Sequence, residues 1–143
     1  MMAADDSPDM PVRRGAVAVI VREGRLLVIR RSESVVAPGA FCFPGGGIEA
    51  DETEEQALVR EIQEELGVII HPVRRLWRSV TPWRVELAWW LGTIPAGASL
   101  AANPAEVASV HWHTPAEMLA LDRLLESNHA FLAALAAGEI VLD

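Results

Sequence analysis

The sequence has no lysine, no tyrosine and a single cysteine among its 143 residues. One thiol, Cys42, excludes an internal disulfide and a thiolate metal cluster. A nucleophilic role for Cys42 would need an activating base, and none is evident, so it reads as a small buried hydrophobe between Phe41 and Phe43. All 12 positive charges are arginines, spread along the chain and outweighed by 20 acids, for a net charge of −8. Long polyanions are recognised through basic stripes, so nucleic acid is not an expected partner. Every apolar stretch is broken by Arg or Glu before it reaches membrane-spanning length, so no membrane partner is expected either. Met1 to Pro11 carries three Asp and two Pro, without the basic start and apolar core of a signal peptide. It reads as a disordered leader, and residues 12–143 as one domain of a cytoplasmic protein.

The remaining composition is that of a globular chain, with 51% apolar and 22% charged residues. Two apolar, β-branched stretches, Arg14 to Val21 and Arg25 to Arg31, flank Arg22-Glu23-Gly24 and predict a hairpin. Ser32 to Ala40 is a loop. Phe41 to Phe43 is a short strand entering Pro44-Gly45-Gly46-Gly47, which reads as a glycine turn. From Thr53 to Leu66 the period becomes helical, with Leu58, Ile62 and Leu66 on one stripe. Thr53 is the expected N-cap, Glu54 and Glu55 suit the positive end of the helix dipole, and Gly67 is a natural stop. Strands are expected at Val73 to Val80, Arg84 to Leu91 and Val107 to His113, and helices at Pro115 to Leu121 and Glu126 to Ala137. Strands and helices mixed without strict alternation predict an α/β or α+β sandwich, a mixed β-sheet between helices.

Acidic residues concentrate between Glu49 and Glu65, and crowded carboxylates usually want a cation. At about 100° per residue, Glu61, Glu64 and Glu65 share a sector of the helix beside its apolar stripe. A solvated acidic face would look the same, since exposed like-charge pairs cost only a few tenths of a kcal/mol each. The glycines just before the helix can bring backbone close to a ligand. Their carbonyls can join carboxylates around a hard cation such as Mg²⁺, which favours oxygen ligands. A structural turn would also use glycines, so neither feature decides alone.

Gly46, five residues, Glu52, seven residues, then Arg60-Glu61-Ile62-Gln63-Glu64-Glu65-Leu66-Gly67-Val68 resembles the Nudix box at every defined position, over 23 residues. One departure is Asp51, where many members carry Gly; Asp tolerates the left-handed region better than most residues. The resemblance implies an α/β/α sandwich and Mg²⁺-dependent hydrolysis, with Mn²⁺ as substitute, of a phosphoanhydride in a nucleoside diphosphate-type substrate. It implies metal binding by Glu61, Glu64, Glu65 and the Gly46 carbonyl, and an Arg60–Glu52 ion pair that orients helix and loop. Two assignments stay open for the base: Glu61, or a residue of a distant loop. Triphosphate-cleaving members often carry a further acid shortly before a later Trp. Glu106, six residues before Trp112, is either that ligand or a loop carboxylate after Pro104.

The attached moiety is less legible. Val28 and Val35 stand where the coenzyme A branch expects Thr and Arg, and the Tyr that marks dinucleoside polyphosphate members is missing. Pro82 lies near the position of a Pro in ADP-ribose hydrolases, or simply shapes a turn. Compact size favours a MutT-like nucleoside triphosphate pyrophosphatase, oxidised dGTP (8-oxo-dGTP) included. An ADP-ribose or nucleotide-sugar pyrophosphatase is the alternative within the class, and a non-catalytic nucleotide-binding module the alternative outside it. Isomerisation of an isoprenoid diphosphate would need catalytic groups beyond Cys42. Phe41, Trp77, Trp83, Trp89 and Trp90 are candidates for base stacking, and Arg30, Arg31 and Arg84 for phosphates. Trp89 and Trp90, as strand neighbours, must face opposite ways. His111 and His113 share a face without a third ligand. The partner expected is a small-molecule nucleotide, with a homodimer the common assembly of relatives.

Overall fold

The computed structural model describes residues 13–143, so the leader expected at Met1 to Pro11 lies outside the described residues. In chain order the elements are β1 (Arg13–Arg22), β2 (Arg25–Arg31), β3 (Phe41–Cys42), β4 (Gly45–Gly47), α1 (Glu54–Leu66), β5 (His71–Val80), β6 (Val85–Thr93), β7 (Val107–His113), α2 (Pro115–Leu119) and α3 (Glu126–Ala136). The sheet is mixed. β1 runs parallel to β6 and antiparallel to β2 and β4, while β5 pairs antiparallel with β6, and β3 and β7 with β2. The expected hairpin forms at its tip, where Val21 pairs with Leu26 and Arg22 with Arg25. Beyond that the two strands part, and each finds other neighbours.

β1 is apolar because both of its faces are covered. Ala16, Ala18 and Ile20 pack with Leu58, Ile62 and Leu66 of α1, whereas Val19 faces Phe131 and Leu132 of α3. The same period of two sends Trp89 into the α3 side and Trp90 toward α1, as expected for strand neighbours. Trp89 is fully buried and stacks on Phe131 at 4.8 Å between centroids. Helices on both faces of a mixed sheet make this an α/β/α sandwich of the α+β class. Among the described residues no helix is long and apolar enough to cross a membrane.

α1, which carries the acidic residues, is held from three directions. Leu58, Ile62 and Leu66 are completely buried, each contributing roughly 1.5–3 kcal/mol. Thr53 accepts from the Gln56 main chain while Gln56 accepts from the Thr53 main chain, a reciprocal cap, and Gly67 ends the helix in the left-handed region at φ 65°. Glu54 is a junction the sequence did not reveal. Its carboxylate accepts from Trp90 Nε1 (2.9 Å) and Arg78 (2.9 Å) and pairs with Arg75 (3.4 Å) and Arg14 (3.5 Å). The first turn of α1 is thereby fastened to β1, β5 and β6. Burial opposes that charge, but the indole and the Arg78 guanidinium outweigh it, and the carboxyl lies below its ordinary range.

Candidate active site

The Gly45–Gly47 segment is a strand rather than the expected turn. β4 lies antiparallel to β1, with Gly47, Gly46 and Gly45 opposite Gly15, Ala16 and Val17. Ala18 donates to the Pro44 carbonyl and Ile48 to the Arg14 carbonyl, so by alternation Gly46 also directs its peptide groups at β1. The main chain of Gly45 and Gly47 faces the other way. The Gly45 amide donates to Glu65 Oε1 (3.1 Å), and the Gly47 carbonyl accepts from Arg60 (2.9 Å). This corrects the expectation for the Gly46 carbonyl: it is turned into the sheet ladder, and the main-chain groups on the free edge belong to its neighbours.

Glycine is needed here for clearance. A Cβ on Gly45 would overlap the Ala16 carbonyl, and its φ of 154° is one that side chains disfavour. A Cβ on Gly46 would run into the Glu61 carboxyl group. α1 therefore rests almost directly on β4. Asp51 does not adopt positive φ, because the preceding turn closes by a Glu52 N–H to Glu49 carbonyl bond (3.0 Å) without a left-handed residue at that position.

Arg60 organises one side of the site. Its Nε and Nη2 grip both oxygens of Glu52 at 2.6 and 2.8 Å, and Nη1 donates to Glu61 Oε2 at 2.9 Å. A planar fork suits this geometry, where a lysine would reach fewer partners. Hydrogen bonding from Arg60, helped by the Glu49–Glu52 turn, holds the Glu52 carboxyl down at about 2. Glu52 also accepts from the Glu49 amide (2.9 Å), so the ion pair pins the loop onto the helix.

On the other side, Glu61, Glu65 and Glu106 converge, each offering an oxygen within 4.8 Å of the others. Glu106 reaches them from the loop before β7, braced by Asn103 Nδ2 (3.3 Å) and by its own carbonyl, which accepts from Ser32. Glu64 stands outside this group. Its side chain is 47% exposed and meets Arg60 at 3.4 Å. Glu65 is only 6% exposed. Burial first, then the charge of Glu61, pushes its carboxyl up to about 8. Burial likewise raises Glu61, against the pull of Arg60. Three crowded, half-dry carboxylates with all-oxygen donors are an arrangement that a hard divalent cation relieves, so the donor set fits Mg²⁺ or Mn²⁺.

A cavity of about 600 Å³ opens beside β4 on the α3 side of the sheet. Gly45 to Gly47 form one wall, Val17, Val85 and Leu87 another, and Asn128 lies at the start of α3. Asn128, 4% exposed, was not singled out by sequence. The signal was present: Leu124, Phe131 and Leu132 make an apolar stripe, and Asn128 is its polar exception at helical spacing. Its Oδ1 accepts from the Phe43 amide (2.9 Å), which fixes the amide's orientation, and Nδ2 donates to Ser127 Oγ (3.2 Å).

Of the other candidates, Arg31 lines the cavity, donating to the Val36 carbonyl (2.6 Å), while Arg30 lies over the Phe41 ring. Cys42 is buried on the cavity wall, and burial pushes its thiol up to about 11, the inert hydrophobe expected. His111 and His113 stack at 5.6 Å on β7, with His111 against Ser109 and His113 beside Glu117.

Comparison with known proteins follows the same lines. The model of the NUDIX domain matches residues 11–135. The chain is 33% identical over 122 residues to a MutT-like protein of Streptomyces ambofaciens, covering 82% of this chain and 75% of that one. It is 45% identical over 51 residues to the CTP pyrophosphohydrolase of Escherichia coli, and 44% over 54 residues to the 8-oxo-dGTP diphosphatase of the same organism. These two matches span 36% and 37% of this chain, and only 38% and 42% of the relatives' own lengths. The MutT protein of Methanosarcina mazei superimposes with a TM-score of 0.77 at 21% identity, over 92% of this chain and 98% of that one, a likeness of fold. With the box residues in place on α1 and β4 and the domain matched over most of its length, the chain belongs to the Nudix family.

Proposed function

We propose that this protein is a Mg²⁺-dependent nucleoside triphosphate pyrophosphatase, with Mn²⁺ as a substitute ion and oxidised dGTP as its leading substrate. The observation that carries the reading is the convergence of Glu61, Glu65 and Glu106 at the edge of β4, next to a cavity large enough for a nucleoside. These three would hold the ion, with Glu64 serving from the solvent side. The free edge of β4, where the Gly45 main chain points, is the natural source of a backbone oxygen. The bound ion would neutralise the diphosphate and lower the pKa of the attacking water. Arg60, gripping Glu52 and Glu61 together, keeps the acidic helix in register with the loop. Hydrolysis would release a nucleoside monophosphate and pyrophosphate.

Asn128 supports a carbonyl-bearing base. The Phe43 amide takes one lone pair of Oδ1 and Ser127 takes one N–H, so the side chain retains its second N–H as a donor and a second lone pair on Oδ1 as an acceptor. A keto oxygen accepts from that N–H, and a ring N–H beside it can donate to Oδ1. The relatives named CTP pyrophosphohydrolase and 8-oxo-dGTP diphosphatase support the triphosphate reaction, not a choice of base.

The test is a substrate panel at low concentration, compared by kcat/KM. It sets oxidised and normal dGTP against other nucleoside triphosphates, ADP-ribose, nucleotide sugars, dinucleoside polyphosphates and coenzyme A. The expected result is highest kcat/KM on a triphosphate with a keto base, falling by orders of magnitude in Glu61→Gln and Glu65→Gln. Full activity of both variants after chelation and metal resupply overturns the site. Binding of nucleotide without any turnover overturns the hydrolase reading in favour of a binding module.

A further inference from the structure

One wall of the cavity beside β4 is carried by a strand that runs on past it. Val85 and Leu87, which form one wall, belong to β6, and Val85 pairs with the cavity-lining Arg13 of β1. Two residues before Val85 stands Trp83, in the connection between β5 and β6. Trp83 is 56% exposed, whereas Trp89 is fully buried and the remaining three tryptophans are at least partly covered. The connection that carries it is stiff. Thr81 donates its amide to the Val85 carbonyl (2.9 Å), its carbonyl accepts from Arg84 (2.9 Å), and its Oγ1 accepts from the Val85 amide (2.9 Å). Thr81 is itself buried, Pro82 fixes the following backbone, and Arg84 takes a left-handed φ of 66°. Such a conformation is uncommon for a residue other than glycine and is held here by the surrounding bonds.

A large aromatic left in water on a rigid turn, next in line after an apolar cavity wall, is suited to receive a flat ring. We propose that Trp83 is the outer stacking platform for the base of the substrate, a binding residue on the turn that leads into the strand of the cavity wall. The inference rests on the nucleotide reading above and adds the residue that holds the base from the solvent side. Stacking on an indole depends on the π-face rather than on hydrogen-bond pattern, so Trp83 contributes to affinity for any base. Discrimination among bases then falls to Asn128.

The test uses the full chain as wild type, Trp83→Ala and Trp83→Phe, with dGTP as nucleotide and inorganic tripolyphosphate as a probe that has phosphates and no base. Trp83→Ala is expected to raise KM for dGTP about 10-fold or more, the scale of a lost base–aromatic stack, with kcat changed less than about 2-fold. Trp83→Phe restores most of the loss, and inhibition by tripolyphosphate is the same in all three proteins. Nucleotide should also quench the solvent-exposed tryptophan emission of the wild type, and that quenching should vanish in Trp83→Ala. An unchanged KM overturns the proposal, and so does a shift in tripolyphosphate inhibition equal to the shift in KM, which would mean a distorted turn. Quenching is read at equilibrium and needs no turnover. A wild type that hydrolyses no nucleotide therefore strikes the proposed reaction, while quenching that survives in Trp83→Ala strikes the stacking role.

Discussion

A methyl group added at Gly46 would lie 2.6 Å from Glu61 Oε2 and closer still to the rest of that carboxyl group. Ordinary van der Waals contact is about 3.5 Å, so the carboxylate must retreat by roughly 1 Å. Glu61 is the end of a side chain and can swing, at the expense of its 2.9 Å bond from Arg60. If Glu61 serves the site as proposed, a displacement of about 1 Å there costs roughly 10²-fold in rate, or about 2.7 kcal/mol of transition-state stabilisation. The fold should pay less. Overpacking costs about 1–3 kcal/mol, partly offset by about 0.4–1 kcal/mol from the stiffer unfolded chain. Gly45→Ala makes the informative contrast. There the added methyl meets the Ala16 carbonyl and the Val17 main chain, which cannot swing away, at a φ of 154°. That variant should lose the fold, not merely the rate. The assay pairs initial rates at saturating nucleotide and Mg²⁺ with thermal melting of each variant. Gly46→Ala with kcat within about 2-fold of wild type would refute the placement of Glu61 against β4. Equal damage to folding in both variants would refute the distinction between side-chain and main-chain clearance.

Arg60→Lys keeps the charge but loses the fork that serves Glu52, Glu61 and Gly47 together. Metal affinity and kcat/KM should fall by about 10–100-fold, measured by metal titration of activity, and wild-type values would show that geometry at Arg60 is dispensable. The Glu65 carboxyl, raised to about 8 from an ordinary 4.5, makes the metal-free fold bind a proton that the unfolded chain has released. Between those two values the native state holds more protons, so this group's contribution to stability falls as pH rises. The melting temperature of metal-free wild type, compared with Glu65→Gln, should therefore drop relative to the variant from about pH 5 to about pH 8. Saturating Mg²⁺ should reverse that trend by favouring the ionised carboxylate, with proton release on binding. A difference curve that rises with pH would contradict the buried, cation-free state of Glu65.

The elements were legible from local patterns because local physics decides them. The Leu58/Ile62/Leu66 stripe, the Thr53 cap and the Gly67 stop specify α1 within its own residues, and the helix appears over Glu54–Leu66. The hairpin at Arg22–Gly24 was equally local, yet only its tip pairs, because β4 takes the same edge of β1 farther back along the strand. The glycine run reads as a turn in sequence for a related reason. Three glycines carry no alternation, and nothing within them announces that β1 will supply a partner. Asn128 escaped notice because its meaning depends on the amide of Phe43, 85 positions away.

By itself the sequence determined the acidic helix, the spacing that ties Glu52 to Arg60, and membership in a family that pairs such a helix with a glycine segment. These are short-range matters of period, capping and fixed intervals. Only the tertiary structure decided which carboxylates meet. Glu64 and Glu65 share a sector of α1, but only Glu65 is covered, by the Gly45 amide and Glu106, while Glu64 stays toward water. Glu106 reaches Glu61 and Glu65 because β7 pairs with β2 and brings its preceding loop over the end of α1. The site is thus closed by contacts between distant segments, which no interval along the chain records.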